Sequence, residues 1–437
     1  MSDETPQHAV AVIGGATAGA EAAALLAGAG ITVVVFEQNP RPYGKIEDGL
    51  PRWHTKLRRK EYDTINAKLT RPGVHYVPLT KVGRDVDLRE LVAEWGFSAV
   101  VLAHGAWRDR PLAIEGVDRF VGKGLVYQND FIHWFNHSVE RGYAGQHYDV
   151  PDGAIVVGGG LASIDVVKVL QLEAVRLVLA EQGIDEDMHR LEVAGIPAVL
   201  DEHGLSWERL GLEGATLYYR RRIEDMPLAD MPAEADEERR RKVQFTRRRI
   251  LEKAMAKYCF AVQPLRLPVA LLSDGDRLTG LRFQHMRVEQ GAAMPVEGRC
   301  EDVPAPLVVS SIGSVPEPMA GVAQRGLLYD YLDPELGRLD GYDSVFSTGN
   351  VVTGKGNIIA SRRHSVQVTS HVIRDFLGVR NGSGHGHDLV EHVRGQAPLA
   401  ADRVSALLSR VRARQDAVGF GGDYAAWLEQ VTPPDMV

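Results

Sequence analysis

The sequence predicts an α/β protein built from two doubly wound, Rossmann-like units. Three observations carry that prediction. The apolar run AVAVI leads into a glycine-rich turn and an alanine-rich helix, GGATAGAEAAALL, with Gly14, Gly15 and Gly19. The same order recurs in AIVVGGGLASIDVVKVL, with Gly158, Gly159 and Gly160. Two later apolar runs, SAVVLAHGAW and LVVSSIGSVP, read as buried strands that end in small residues.

In the first unit the strand His8–Gly14 precedes a helix at Gly19–Ala29 and a second strand at Thr32–Glu37. A pyrophosphate binds where backbone N–H groups at a helix N-terminus point outward and no side chain blocks the approach. Any tight strand–helix corner favours glycine, so one such turn is a weak signal. Two in one chain point to two dinucleotide sites, and so to electron transfer between two cofactors, typically a nicotinamide and a flavin. Glu37 ends its strand 23 residues after Gly14, where a carboxylate accepts hydrogen bonds from an adenosine ribose. The middle glycine of the usual fingerprint is replaced by Ala16, whose methyl stands where the pyrophosphate approaches closest. The alternative for this turn is a purely structural corner. In the second turn Gly158 and Gly160 are both present, Leu161 and Ala162 open the helix, and Ser163 takes the helix-packing place.

Between these units lies NPRPYGKIEDGLPRWHTKLRRKEY, whose Pro and Gly content excludes a long helix before about Arg52. After the second turn, helical character runs from Gln171 to about Gly211. ATLYYRRRIEDMP then reads as a strand ending in three arginines. Arginines at this place meet the 2′-phosphate of NADP, because the guanidinium fork binds phosphate bidentately and stays charged. Arg220 and Arg221 are the candidates, and a solvated basic edge is the alternative. Ala233–Lys257 reads as a charged helix, and Ala261–Val296 as short antiparallel strands with a turn at Ser273–Asp276. VFSTGNVVTGKGNIIAS gives a strand, a glycine-rich loop and a helix start. Asn381–Asp388 reads as a linker, and Leu389–Leu428 as a mostly helical extension.

Composition sets limits on function. Hydrophobic residues make up 44% and charged residues 25% of the 437, as in ordinary soluble proteins. No apolar run approaches the roughly 18 residues of a membrane span. The acidic, polar opening MSDETPQHAV does not read as a secretion signal, so a cytoplasmic location is expected. A net charge of −8 argues against nucleic-acid binding. Cys259 and Cys300 form no CxxC, so neither a redox disulfide of usual spacing nor a cysteine-ligated iron–sulfur cluster is expected. His385, His387 and His392 sit by the linker without cysteine and make a poor metal case, so no metal is expected.

Four segments carry a resemblance to a known family: GGATAGAEAA with Glu37, GLPRWHTK, GGGLASID with the later YYRRRIEDMP, and STGNVVTGKGNI. The chain resembles the flavoproteins of the adrenodoxin reductase type, bacterial ferredoxin–NADP reductases of that type, and the small subunit of NADPH-dependent glutamate synthase. The resemblance implies a glutathione-reductase-like pair of domains, with an NADPH domain (111–305) inserted into a discontinuous FAD domain (1–110 and 306–380). A helical C-terminal extension (381–437) follows. It implies FAD against Gly14, Gly15, Ala16, Gly19 and Glu37, and NADPH against Gly158, Gly160, Leu161, Ala162, Arg220 and Arg221. Gly349 and Asn350 would meet the ribityl–pyrophosphate side of FAD. Gly356, Asn357 and Ile358 would bring a helix N-terminus to the flavin's O2/N1 edge. Asn350 departs from the Asp or Trp of relatives. By the same resemblance His54 and Asp165 meet near the flavin, where they position water or move the proton that accompanies electron transfer. Loop histidine and helix carboxylate are the plainer readings of the two. The activity implied is hydride transfer from NADPH to FAD and onward passage of electrons to a ferredoxin-like protein. The rivals are an electron-input subunit of a larger complex and a non-catalytic nucleotide-binding relative. The basic runs Arg58–Lys60, Arg239–Lys242 and Arg247–Arg249 are either solvated helix faces or a docking surface for that acidic partner.

Overall fold

The computed structural model describes residues 7–232, 234–354, 356–379 and 396–434. The expected linker Asn381–Asp388 and the histidines 385, 387 and 392 lie outside the described residues. The chain forms two compact units, residues 1–49, 54–108 and 314–437 in one, and 50–53 with 109–313 in the other.

The first unit holds a seven-stranded sheet. Its five parallel strands run in the spatial order Val345–Ser347, Ala99–Leu102, Ala9–Ile13, Thr32–Phe36, Val74–Val77. An antiparallel edge, Tyr331–Asp333 and Arg338–Leu339, adjoins Val345–Ser347. The Ala9–Ile13 and Thr32–Phe36 strands are fully buried, which explains their unbroken β-branched and apolar runs. The helix Thr17–Gly28 buries alanines against this sheet. Those small side chains allow the helix Ile358–His371 to pack closely, and Ser365 Oγ donates to the Ala18 carbonyl at 2.7 Å. Two C-terminal helices, Ala401–Ala417 and Tyr424–Val431, belong to this unit and bury Leu407, Val411 and Trp427.

The second unit carries a five-stranded, all-parallel sheet. Its order is Leu125–Tyr127, Val308–Ser311, Ile155–Gly158, Thr216–Tyr219, Ala261–Pro264. The helical stretch after the second glycine turn is a 21-residue helix, Leu161–Glu181, followed by three short helices between Met188 and Leu210. The charged helix spans Glu237–Tyr258. The strands expected at Ala261–Val296 need correction. Ala261–Pro264 joins the parallel sheet, and the antiparallel part is a separate three-stranded sheet of 9, 13 and 13 residues extending to Pro304. In the two outer strands no side chain is fully buried on either face, which blurs the alternation that marks such strands in sequence.

In each sheet the strand before the glycine turn sits where the connections change direction. Ala9–Ile13 has Thr32–Phe36 on one side and Ala99–Leu102 on the other. Ile155–Gly158 lies likewise between Thr216–Tyr219 and Val308–Ser311. A crevice opens beyond strand ends at such a point, which is where open α/β sheets bind ligands.

Candidate functional site

The first glycine turn is shaped by close backbone approach. Gly14 has φ +98°, and its N–H donates to the Phe36 carbonyl at 2.7 Å. A Cβ on Gly19 would lie 1.8 Å from the Gly14 carbonyl oxygen, so strand and helix meet here only without a side chain. The helix begins after Ala16 with no side-chain cap and no acidic residue in its first turn. Its N-terminal partial charge is thus left for an anion. Glu37 Oε2 accepts from the Gly15 N–H at 2.7 Å and Oε1 from the Asn39 N–H at 3.0 Å. Burial outweighs these two bonds and raises the Glu37 carboxyl to about 7.

Gly14, Ala16 and Glu37 line a cavity with about 770 Å³ of empty space, open mouth included. Lys81, His104 and Tyr329 complete its polar wall. His104 Nε2 lies 3.2 Å from the Tyr329 hydroxyl, which itself donates to the Glu317 carbonyl at 2.6 Å. That hydroxyl therefore accepts from His104, and Nδ1 is the bare nitrogen. Nδ1 is buried and has no hydrogen-bond partner among the described residues. Desolvation lowers the imidazole to about 4, so it is neutral.

Gly349 has φ +78°, and its N–H donates to His364 Nδ1 at 3.0 Å. Asn350 follows it, and its Oδ1 is buried without a partner among the described residues. A Cβ on Gly356 would stand 4.0 Å from Asn350 Nδ2, so these two candidates are neighbours. Asn357 caps the helix that starts at Ile358, accepting from the Ala360 N–H at 2.9 Å.

In the second unit Gly160 is the N-cap of Leu161–Glu181, again with no side-chain cap and no first-turn acid. Leu161 and Ala162 are exposed there. Nothing lies within 4 Å of a Cβ built on Gly160. Gly158 packs tightly, since its Cβ would meet Ser163 Oγ at 2.2 Å and the Ser311 carbonyl at 2.4 Å. The Tyr219 ring lies on Gly159, with ring carbons 2.3 Å from where a Cβ would stand. Arg220 follows Tyr219 and is exposed. Arg221 is half-buried, donating to the Gly291 carbonyl at 2.9 Å and lying 3.5 Å from Asp225. Arg222 also pairs with Asp225.

His54 occupies the N-cap of the helix Thr55–Leu69 in the first unit. Asp165 lies in the second unit, 3.7 Å from Lys168 Nζ. Lys168 is buried, 2.9 Å from Glu192 and against the Trp53 and Tyr258 rings. Burial alone would raise Glu192, but its bonds to Lys168 and Tyr258 win and hold its carboxyl below the ordinary range.

Sequence reasoning missed His104, Lys81, Tyr329 and Tyr219. A histidine just after the buried strand AVVL, where small residues are expected, was the available signal for His104. One part of the basic docking cluster needs correction. Arg58 is buried, donating to the Tyr62 hydroxyl at 3.1 Å and the Glu47 carbonyl at 3.2 Å, whereas Arg59 and Lys60 are exposed. No described helix is long and apolar enough to cross a membrane.

Comparison with known proteins agrees with this geometry. Residues 8–184 match the family described as pyridine nucleotide-disulphide oxidoreductase. Similar proteins include the NADPH-Fe(3+) oxidoreductase subunit beta of Geobacter sulfurreducens, 29% identical over 52% of this chain and 36% of that one. The glutamate synthase [NADPH] small chain of Bacillus subtilis is 33% identical over 36% of this chain and 31% of its own. The chain thus spans about a third of the length of these relatives. Among solved structures, Mycobacterium tuberculosis FprA in complex with NADPH matches with a TM-score of 0.66 at 20% identity, over 94% of this chain and 91% of that one. The α/β fold is therefore found by structure, and the likeness to NADPH-dependent oxidoreductases by sequence.

Proposed function

We propose that the chain is an FAD- and NADPH-dependent oxidoreductase, with FAD on the first unit and NADPH on the second. The single observation that carries this reading is the duplicated strand–glycine–helix corner. Each copy sits where the strand order reverses, and each has an uncapped helix N-terminus. The residues of the first unit fit FAD. His104 Nδ1 and Asn350 Oδ1 are buried acceptors that a cofactor's hydroxyls would satisfy. Glu37 lies in the cavity at the place where the adenosine ribose is expected.

FAD held by these residues would supply the redox chemistry, hydride acceptance and one-electron release. The protein's part is placement. Gly160 leaves the pyrophosphate an open approach, Arg220 offers an exposed guanidinium to a 2′-phosphate, and Arg221 shapes that edge through Asp225 and Gly291. Gly356, Asn357 and Ile358 present a helix N-terminus to the flavin, and the Asn357 cap fixes where that helix begins. His54 and Asp165 are each assigned, in this reading, to hold water or move a proton.

The acceptor in this reading is a small acidic ferredoxin-like protein. A second reading, an electron-input subunit of a larger complex, is favoured by the names of the similar proteins, a subunit beta and a small chain. The test is NADPH oxidation with ferredoxin, flavodoxin or a neutral dye as acceptor, together with isolation of the native assembly. Ferredoxin reduction by the lone chain supports the first reading. Dye reduction only, with a fixed large partner co-isolating, supports the second.

A further inference from the structure

The C-terminal helices touch the first unit at the two loops that wall its cavity. Residues 37–41 form one loop, and their backbone is held from the helix Tyr424–Val431. Trp427 Nε1 donates to the Pro40 carbonyl at 2.8 Å, and Arg41 donates to the Val431 carbonyl at 2.5 Å. Residues 78–83 form the other, and with the end of the strand Val74–Val77 before it this stretch is held from the helix Ala401–Ala417. Gln415 Nε2 donates to the Tyr76 carbonyl at 2.7 Å. Arg414 Nε donates to Thr80 Oγ1 at 2.9 Å, and that hydroxyl donates to Pro78 at 3.0 Å. Thr80 is 1% exposed, and its N–H donates to the Glu37 carbonyl at 2.8 Å. Leu79 beside it is held at φ +50°, a conformation that a leucine keeps only when its surroundings impose it. Arg414 also lies 3.7 Å from Asp85, which accepts the Lys81 N–H at 2.8 Å. Thr80, Lys81, Val82 and Gly83 line the cavity from this turn, and Glu37 and Gln38 from the other loop.

We infer that Arg414 is a positioning residue for the adenosine end of FAD, and that the C-terminal helices act as a clamp on that pocket. This rests on the assignment of FAD to the first unit. Arg414 touches no cofactor in this account. It fixes a turn whose backbone and Lys81 side chain form the wall, so that the wall is formed before the ligand arrives. The alternative is that the two helices only cover apolar surface. Substituting Arg414 then costs stability without changing affinity.

The test is the dissociation constant of FAD and of ADP for the deflavinated full-length chain, with the melting temperature of each apo variant. Arg414→Gln removes the charge-assisted bond, and both constants are expected to rise about tenfold. The KM for NADPH should stay within about twofold. Arg414→Lys keeps charge but loses the fork and should fall between wild type and Arg414→Gln. Trp427→Phe keeps the ring's burial and drops only the bond to Pro40, with an expected loss of about fivefold. It carries the test if Arg414→Gln does not fold. Unchanged constants beside a lowered melting temperature overturn the clamp. A wild-type chain that takes up neither FAD nor ADP overturns the FAD assignment, and the clamp with it.

Discussion

Glu37 and His104 face one cavity, and burial pushes them in opposite directions. Glu37 is raised to about 7, so its contribution is full below the unfolded value of 4.5 and is lost as pH rises through 7. His104 is lowered to about 4, so its contribution is full above 6.5 and is lost as pH falls toward 4. Between pH 4.5 and 6.5 the two slopes oppose. His104→Gln keeps a hydrogen-bonding side chain and removes the titration. The stability gap between wild type and this variant should therefore widen with pH across that window, by about 2–3 kcal/mol. Urea unfolding of the apo forms at both ends checks this, and a gap that does not change with pH contradicts it. The arginines divide by a different criterion. Arg220→Ala should raise the KM for NADPH about 10- to 150-fold and leave that for NADH nearly unchanged. Arg221→Ala should also lower the melting temperature, because Arg221 holds the Gly291 carbonyl. Equal use of both nucleotides by the wild type contradicts the 2′-phosphate assignment.

Two glycines of one strand–helix turn separate packing from binding. Gly158→Ala drives a methyl into Ser163 and the Ser311 carbonyl, and should cost about 1–3 kcal/mol of stability. Gly160→Ala meets nothing within 4 Å, so the melting temperature should hold while the KM for NADPH rises. Equal effects of both substitutions on melting temperature and KM contradict the assignment of Gly160 to pyrophosphate approach. These turns were legible in sequence because a Cβ at Gly14, Gly19 or Gly158 would collide with packed neighbours, which leaves glycine no substitute at those three positions. Glu37 was legible as the last residue of a buried strand. The three-stranded antiparallel sheet was less so, since its half-buried faces give no clean alternation. The tie between Arg414 and Thr80 left no local signal, as 334 residues separate its partners. Arg58 misled for a related reason. A basic run on a helix does not show which arginine turns inward, and the contacts to Tyr62 and Glu47 decide it.

At the scale of the whole molecule, each of the two units carries its own largely parallel sheet, its own reversal of strand order and its own glycine corner. Its net charge is −8, so an acidic electron acceptor would have to find a local basic patch. With Arg58 buried, Arg59 and Lys60 remain as the exposed part of that cluster. Charge reversal at Arg59 and Lys60 should slow ferredoxin reduction and flatten its dependence on salt, because exposed charges are screened beyond about 8 Å at physiological ionic strength. Dye reduction should not change. Parallel salt curves for the two proteins would place the docking surface elsewhere. In the proposed function one chain binds both cofactors and passes a hydride between them. The most direct measurement is the absorption spectrum of the purified chain, reconstituted with FAD if needed, before and after one equivalent of NADPH without oxygen. The expected result is a flavin band at one FAD per chain that NADPH bleaches. A colourless protein that cannot be reconstituted, or a flavin band that NADPH leaves untouched, would contradict it.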